Sequence, residues 1–159
     1  MITFYDTQDH ARLDAAMRGL REKALCLVTR PGQLLVFEHV PAGQAGVQVA
    51  AGGVEPGETS AQAAVRELRE ETGLNLTAPT HVTSYLWEAA LPHRFTRQVC
   101  HAFMFHARTP LPGTWDHVAE QRHLFRFRWA PLHAPGLDWE MDAALPHLHA
   151  LLKEKTPHD

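Results

Sequence analysis

Cysteine is scarce in this chain of 159 residues, which carries two, Cys26 and Cys100. Both fall in apolar runs that read as strands, so they are expected as buried free thiols of a reducing compartment rather than as a disulfide framework. None of the twelve histidines forms a zinc-like spacing with them. His147 and His149 point to different sides of a helix and make no metal pair. Basic charge is not in excess either: the formal net charge is −3, which argues against a surface built for duplex nucleic acid. No apolar run approaches the ~18 residues that a membrane span needs, so no membrane partner is expected. The stretch Met1 to His10 includes Asp6 and Asp9 and lacks the apolar core of a secretory signal. Internal repeats and low-complexity tracts are missing as well. These absences leave a soluble, cytoplasmic chain whose length fits one domain over residues 1–159, large enough for a real core.

What is present is ordinary in bulk and ordered in sequence. A hydrophobic share of 45% against 21% charged residues is that of a globular protein, so the pattern can be read element by element. Ile2 to Tyr5 reads as a short strand and Gln8 to Leu20 as a helix, with Leu13, Ala16, Met17 and Leu20 expected on its apolar side. Ala24 to Thr29 and Gln33 to Val40 read as a hairpin, because Pro31-Gly32 suits a type II turn. Val47 to Ala51 is a further short strand. His81 to Glu88 and Gln98 to Ala107 read as longer strands with a polar loop around Leu91 to Arg97. Leu124 to Ala130 is another strand, and Asp138 to Lys153 a terminal helix broken or kinked at Pro146. Strands interleaved with helices predict an α/β fold, a mixed sheet between helices.

The chain is organised around the stretch from Gly52 to Leu74. Thr59 followed by Gln62 has the form of a capping box. Ser60 to Thr72 contains neither Gly nor Pro, and Gly73 stands where a left-handed residue would end a helix. Ala61, Ala64, Val65, Leu68 and Thr72 make one apolar stripe. Glu67, Glu70 and Glu71, spaced i, i+3 and i+4, share a neighbouring face on which the small Ala63 leaves room. Like charges at this spacing destabilise a helix by a few tenths of a kcal/mol, so the cluster does not serve helix stability. Closely set carboxylate oxygens are what Mg²⁺ or Mn²⁺ bind, and such a cation would reverse the penalty.

Gly52, Glu58 and the run Arg66-Glu67-Leu68-Arg69-Glu70-Glu71-Thr72-Gly73-Leu74 together resemble the signature of the Nudix hydrolases, with every fixed position present. The resemblance implies a Nudix-type α/β/α sandwich with a mixed central sheet. It also implies metal-dependent hydrolysis of a nucleoside diphosphate linked to another moiety. On this resemblance Glu67, Glu70 and Glu71 hold Mg²⁺ or Mn²⁺, and a backbone carbonyl of Ala51 or Gly52 completes the site. Arg66 pairs with Glu58 or Glu67 to fix them, and Glu58 has the alternative role of holding a water in the metal shell. The general base is open between a signature glutamate and a later loop acid. Glu120, ahead of Arg128-Trp129-Ala130-Pro131-Leu132, is the first loop candidate and Asp116 the weaker one. The stretch Gly113 to Gln121 is expected as a loop able to move over a bound nucleotide. One departure stands out: Ala50-Ala51 replaces the Pro-Gly that many members carry before the first signature glycine, which changes the entry angle expected of the loop.

Substrate recognition is less legible. Trp87, Phe95 and Trp115 are candidates to stack a base, and His93, Arg94 and Arg97 to meet phosphates. Two other functions stay open: a Nudix-like nucleotide sensor without catalysis, against which the intact glutamates argue, and a hydrolase of RNA 5′ ends, which would want a basic channel. A nucleotide is the expected small-molecule partner, and a homodimer is left open.

Overall fold

A computed structural model describes residues 1–43, 45–119 and 123–155, with Lys155 described by its backbone alone. The strands are β1 (Ile2–Phe4), β2 (Arg21–Arg30), β3 (Gln33–Val40), β4 (Ala50–Gly53), β5 (Thr80–Leu91), β6 (Arg94–His106), β7 (Thr114–Ala119) and β8 (His123–Pro131). Three α-helices, α1 (Gln8–Arg18), α2 (Ser60–Thr72) and α3 (Leu145–Lys155), join them, with a 3-10 turn over Met141–Ala144 before α3. The strands form one mixed sheet in the order β1-β5-β6-β2-β3-β8-β7, and β4 is added on β2. The β2–β6 pair is parallel, in register from Arg21↔Gln98 to Thr29↔His106. No helix among the described residues is long and apolar enough to cross a membrane.

Strand β2 shows why helices cover both faces of the sheet. Its residues from Ala24 to Val28 are all buried, and alternate side chains point to opposite faces. Leu25 and Leu27 join the cluster beneath α3, with Met141, Leu145 and Leu148. Ala24, Cys26 and Val28 join the cluster beneath α2, with Ala63, Ala64 and Leu68. Helix α1 lies on the α2 side, where Ala11 and Ala15 pack on Leu86 and Val99. This is the α/β/α sandwich expected.

Several expectations need correction. On α1 the buried side is Ala11 and Ala15, whereas Leu13 is 59% and Met17 77% exposed. The small alanines let the helix come close to the sheet, and hydrophobicity alone points to the wrong face. The polar loop expected at Leu91 to Arg97 is absent: β5 and β6 stay paired to Leu91↔Arg94, so Arg94 and Arg97 are strand residues. The mobile loop expected from Gly113 is in its described part an edge strand, β7, paired with β8 from Thr114↔Arg128 to Ala119↔His123. The strand read at Val47 to Ala51 begins later, at Ala50; ahead of it Gln48 makes an isolated bridge to Phe37, and the Val47 N–H goes to the Asp138 carboxylate at 2.8 Å. The helix read from Asp138 to Lys153 starts later and divides just before Pro146, into a 3-10 turn ending at Ala144 and α3, in whose first turn the missing N–H of Pro146 is no loss.

The buried side of α1 can be checked by urea denaturation. Ala15→Leu should overpack the α1–sheet contact and cost about 1–3 kcal/mol. Leu13→Gln, at the more hydrophobic position, should stay within about 0.5 kcal/mol of the parent.

Candidate active site

The signature stretch is built from three pieces that hold one another. Strand β4 is fixed first, since Gly53 pairs with Lys23 and Gly52 with Ala24 on β2. Ala50 and Ala51, where a different entry angle was expected, continue this ladder against Cys26 and Leu25. The chain then turns through Glu55-Pro56-Gly57-Glu58, closed by the Glu58 N–H donating to the Glu55 carbonyl at 3.0 Å. Gly57 has φ +80°, the left-handed value that the third position of a type II turn after proline requires. Helix α2 follows with both halves of its capping box formed between Thr59 and Gln62, and Gly73 ends it in the left-handed region.

Arg66 ties these pieces together. Its Nε and Nη2 fork onto the Glu58 carboxylate at 2.8 and 2.9 Å. Nη1 donates to Glu67 at 2.7 Å and to Glu70 at 3.3 Å, and Nη2 also to the Gly53 carbonyl at 2.8 Å. The Glu58 and Glu67 side chains are 15% and 12% exposed, so these are largely dry, charge-assisted bonds. The Glu67 carboxylate lies against the α-carbon of Gly52, where a Cβ would collide with it. Gly52 is therefore required by close approach and not by its own dihedrals.

The three glutamates do not share a face evenly. Glu71 is only 3% exposed and accepts from the Ala51 N–H at 3.3 Å, Glu67 lies partly buried beside Arg66, and the Glu70 side chain is 54% exposed. Ala63, expected to leave room among them, is instead wholly buried against the sheet. Among the described residues, no three His, Cys, Asp or Glu side chains converge as a ready metal site. The donors still suit a hard divalent cation: all are oxygens, they lie on one helix beside the Ala51–Gly52 backbone, and Gly52 keeps that approach clear.

A cavity of about 190 Å³ adjoins Glu71 and Gly52, and Arg21, Lys23, His39 and Phe125 are among the residues lining it. These four were not picked out in the sequence. The signal available was Arg21 and Lys23, two cations on one face at the start of an otherwise apolar strand. A larger cavity, about 450 Å³, opens at the other end of β2 beside Arg30 and Arg108 and contains none of the signature carboxylates.

The other candidates lie elsewhere or are otherwise engaged. Trp87 is 8% exposed, packs in the core beneath α3 and donates to Glu140 at 3.3 Å, so it offers no face for a base. Arg97 pairs with Glu88 across the hairpin at 2.8 Å and lies over Phe95, and Arg94 begins β6 at the same tip; none of these lines the cavity at Glu71. Trp115 stacks on Phe127 and donates to the Thr72 carbonyl at 3.1 Å, holding the end of α2. Asp116 is bound by both arms of Arg126 at 2.9 and 3.0 Å, which keeps its carboxyl below the usual range. That depressed carboxyl, tied to a guanidinium, is poorly suited to act as a base. Glu120 falls outside the described residues. Burial, then the nearby Glu71 and Glu67, pushes the Cys26 thiol well up, which removes it as a nucleophile.

Known proteins share this fold. The NUDIX domain family model matches residues 19–152. A CTP pyrophosphohydrolase of Escherichia coli is 39% identical over 71 residues, 43% of this chain and 53% of the relative. The match thus spans about half the length of that relative. The solution structure of the Escherichia coli ORF135 protein is 28% identical with a TM-score of 0.56, covering 88% of this chain and 95% of the other. A MutT NUDIX hydrolase from Burkholderia pseudomallei shares the fold at a TM-score of 0.63 and 21% identity, over 80% and 97% of the two chains.

The Arg66 fork has a measurable acid signature. It holds the Glu58 carboxyl down at about 2, against an ordinary 4.5. A carboxyl depressed in the folded state stabilises fully above the unfolded value, and that contribution fades as pH falls from about 4.5 through 2. Glu58→Gln should therefore be less stable than the parent near neutrality and should lose less between pH 4.5 and 2. Parallel urea-stability curves for the two proteins across that window would contradict the assignment.

Proposed function

The chain belongs to the Nudix family, and from that premise we propose that it is a divalent-metal-dependent pyrophosphohydrolase. Its substrate class is a nucleoside diphosphate linked to another moiety, a further phosphate included, and residues 1–159 act as one Nudix unit. The observation that carries this reading is the signature helix itself: three glutamates at graded depth, two of them tied to Arg66, beside a bare Gly52 and next to a cationic cavity.

Glu67, Glu70 and Glu71 would hold Mg²⁺ or Mn²⁺ with a carbonyl of Ala51 or Gly52. Such an ion supplies charge neutralisation on phosphate oxygens and a bound water of lowered pKa. The chain's own residues do the rest. Arg21 and Lys23 face the cavity and attract the polyphosphate, while Phe125 and His39, whose rings lie 4.7 Å apart, offer an aromatic wall to a base. Arg66 keeps Glu67 aimed, and the buried Glu71 is steadied by the Ala51 N–H. The modest cavity supports one small base in preference to a dinucleotide, and the CTP pyrophosphohydrolase relative makes CTP the first nucleotide to try.

Hydrolysis of a nucleotide panel scored by product mass, with Mg²⁺ or Mn²⁺, tests the reading. Release of a nucleoside monophosphate is expected, and full activity in excess EDTA would contradict it. Glu70→Gln should lower turnover by orders of magnitude and leave metal-free stability unchanged or raised, because it removes a like charge from the helix. A variant that hydrolyses the panel at the parent rate would sink the role of Glu70.

A further inference from the structure

The family match begins at residue 19, yet the segment before it reaches the signature loop. Arg12 on α1 donates from Nη2 to the Glu58 carbonyl at 3.2 Å, immediately before the cap of α2. Gln8, the first residue of α1, accepts a hydrogen bond from the hydroxyl of Ser60, the first residue of α2. Glu58 is thus gripped twice, by its carbonyl from α1 and by its carboxylate from Arg66.

Arg12 is itself anchored in the sheet. Its Nε donates to Glu22 at 3.1 Å, and the same Glu22 oxygen lies 2.9 Å from Nε2 of His101, which is wholly buried. Nδ1 of His101 is 2.7 Å from the Ser84 hydroxyl, which lies 2.9 Å from Nε2 of His81. An ionised Glu22 only accepts, so His101 carries its proton on Nε2 and Nδ1 accepts from Ser84. Ser84 in turn accepts from His81, and every donor has an acceptor. Burial lowers the pKa of both imidazoles, which favours their neutral forms. Ser84, His101 and Glu22 have the order of a nucleophilic triad, but Ser84 is 2% exposed and closed off from solvent. Their bonds lead instead to Arg12.

We propose that β1 and α1 form a strap that positions the signature loop, with Arg12 as the positioning residue and Glu22–His101–Ser84 as its buried anchor. β1 secures the other end of the strap by pairing with β5, from Ile2↔Trp87 to Phe4↔Tyr85. The kinetic consequence of the strap rests on the hydrolase reading; its structural consequence does not.

The test compares Arg12→Ala, Arg12→Lys and the control Arg18→Ala in the full chain with Mg²⁺. Among the described residues, the ion pair of Arg18 is with its helix neighbour Asp14, at 3.1 Å. Amide exchange read by mass spectrometry should become about tenfold faster in Arg12→Ala over residues 54–60 alone, as expected for losing a charge-assisted hydrogen bond. Its kcat on the best nucleotide of the panel should fall about 10-fold or more with KM little changed. Lysine keeps the charge but not the fork that reaches two acceptors. Arg12→Lys should therefore match the parent in thermal stability and still show fast exchange at 54–60. Arg18→Ala should match the parent in both readings. Unchanged exchange at 54–60, or faster exchange spread over the whole sheet, would overturn the strap. Faster local exchange with kcat intact would overturn its positioning role. Local loosening in a protein whose parent hydrolyses nothing would leave the strap standing and remove the hydrolase reading alone.

Discussion

One guanidinium bears most of the organisation of this site. Arg66 has five N–H groups, and each finds an acceptor: two on Glu58 and one each on Glu67, Glu70 and the Gly53 carbonyl. Without it, glutamates at i, i+3 and i+4 would repel one another, and a turn containing Glu55 and Glu58 would face the same helix. With it, strand β4, the turn and α2 become one unit, because the bonds run to all three. Lysine could supply the charge but not five directed donors, so the geometry demands arginine and not merely a cation.

That unit is anchored to the sheet by apolar contacts of a different kind. Ala63 and Ala64 are small enough to bring α2 close to β2, and Leu68 fills the space below them; burying a leucine contributes about 1.5–3 kcal/mol. The closeness has a functional consequence. It presses Glu67 against Gly52 and carries Glu71 under β4, to within reach of the Ala51 N–H. Packing thus sets where the acids sit, and hydrogen bonds set where their oxygens point.

Much of this was legible from residues 52–74 alone, since capping, helix length and the Arg66–Glu58 pairing are local chemistry written within a few turns. Contacts between distant segments were not. Arg97 looked like a loop cation because nothing local reveals that β5 and β6 remain paired to Leu91↔Arg94. Trp87 and Trp115 looked like base platforms because burial is decided by partners far away in the chain. The exposed Leu13 and Met17 show the same limit from the other side: the sheet selected the alanine face of α1 for its size. Arg21, Lys23 and Arg12 escaped notice for a related reason, since each acts on a loop it meets only after folding.

The three glutamates then differ in what they can do. Glu71, buried and bonded to the backbone, cannot move without disturbing β4, so its oxygens define a fixed point. Glu67 shares Arg66 with Glu58 and shifts only if that fork shifts. Glu70, with a side chain 54% exposed and a 3.3 Å bond to Arg66, is the member with freedom to swing. The set therefore comprises one fixed, one tethered and one exposed carboxylate. The helix spacing that looks wasteful for stability is what makes the graded set, because i and i+4 lean toward the sheet from opposite ends of one turn while i+3 is turned toward water.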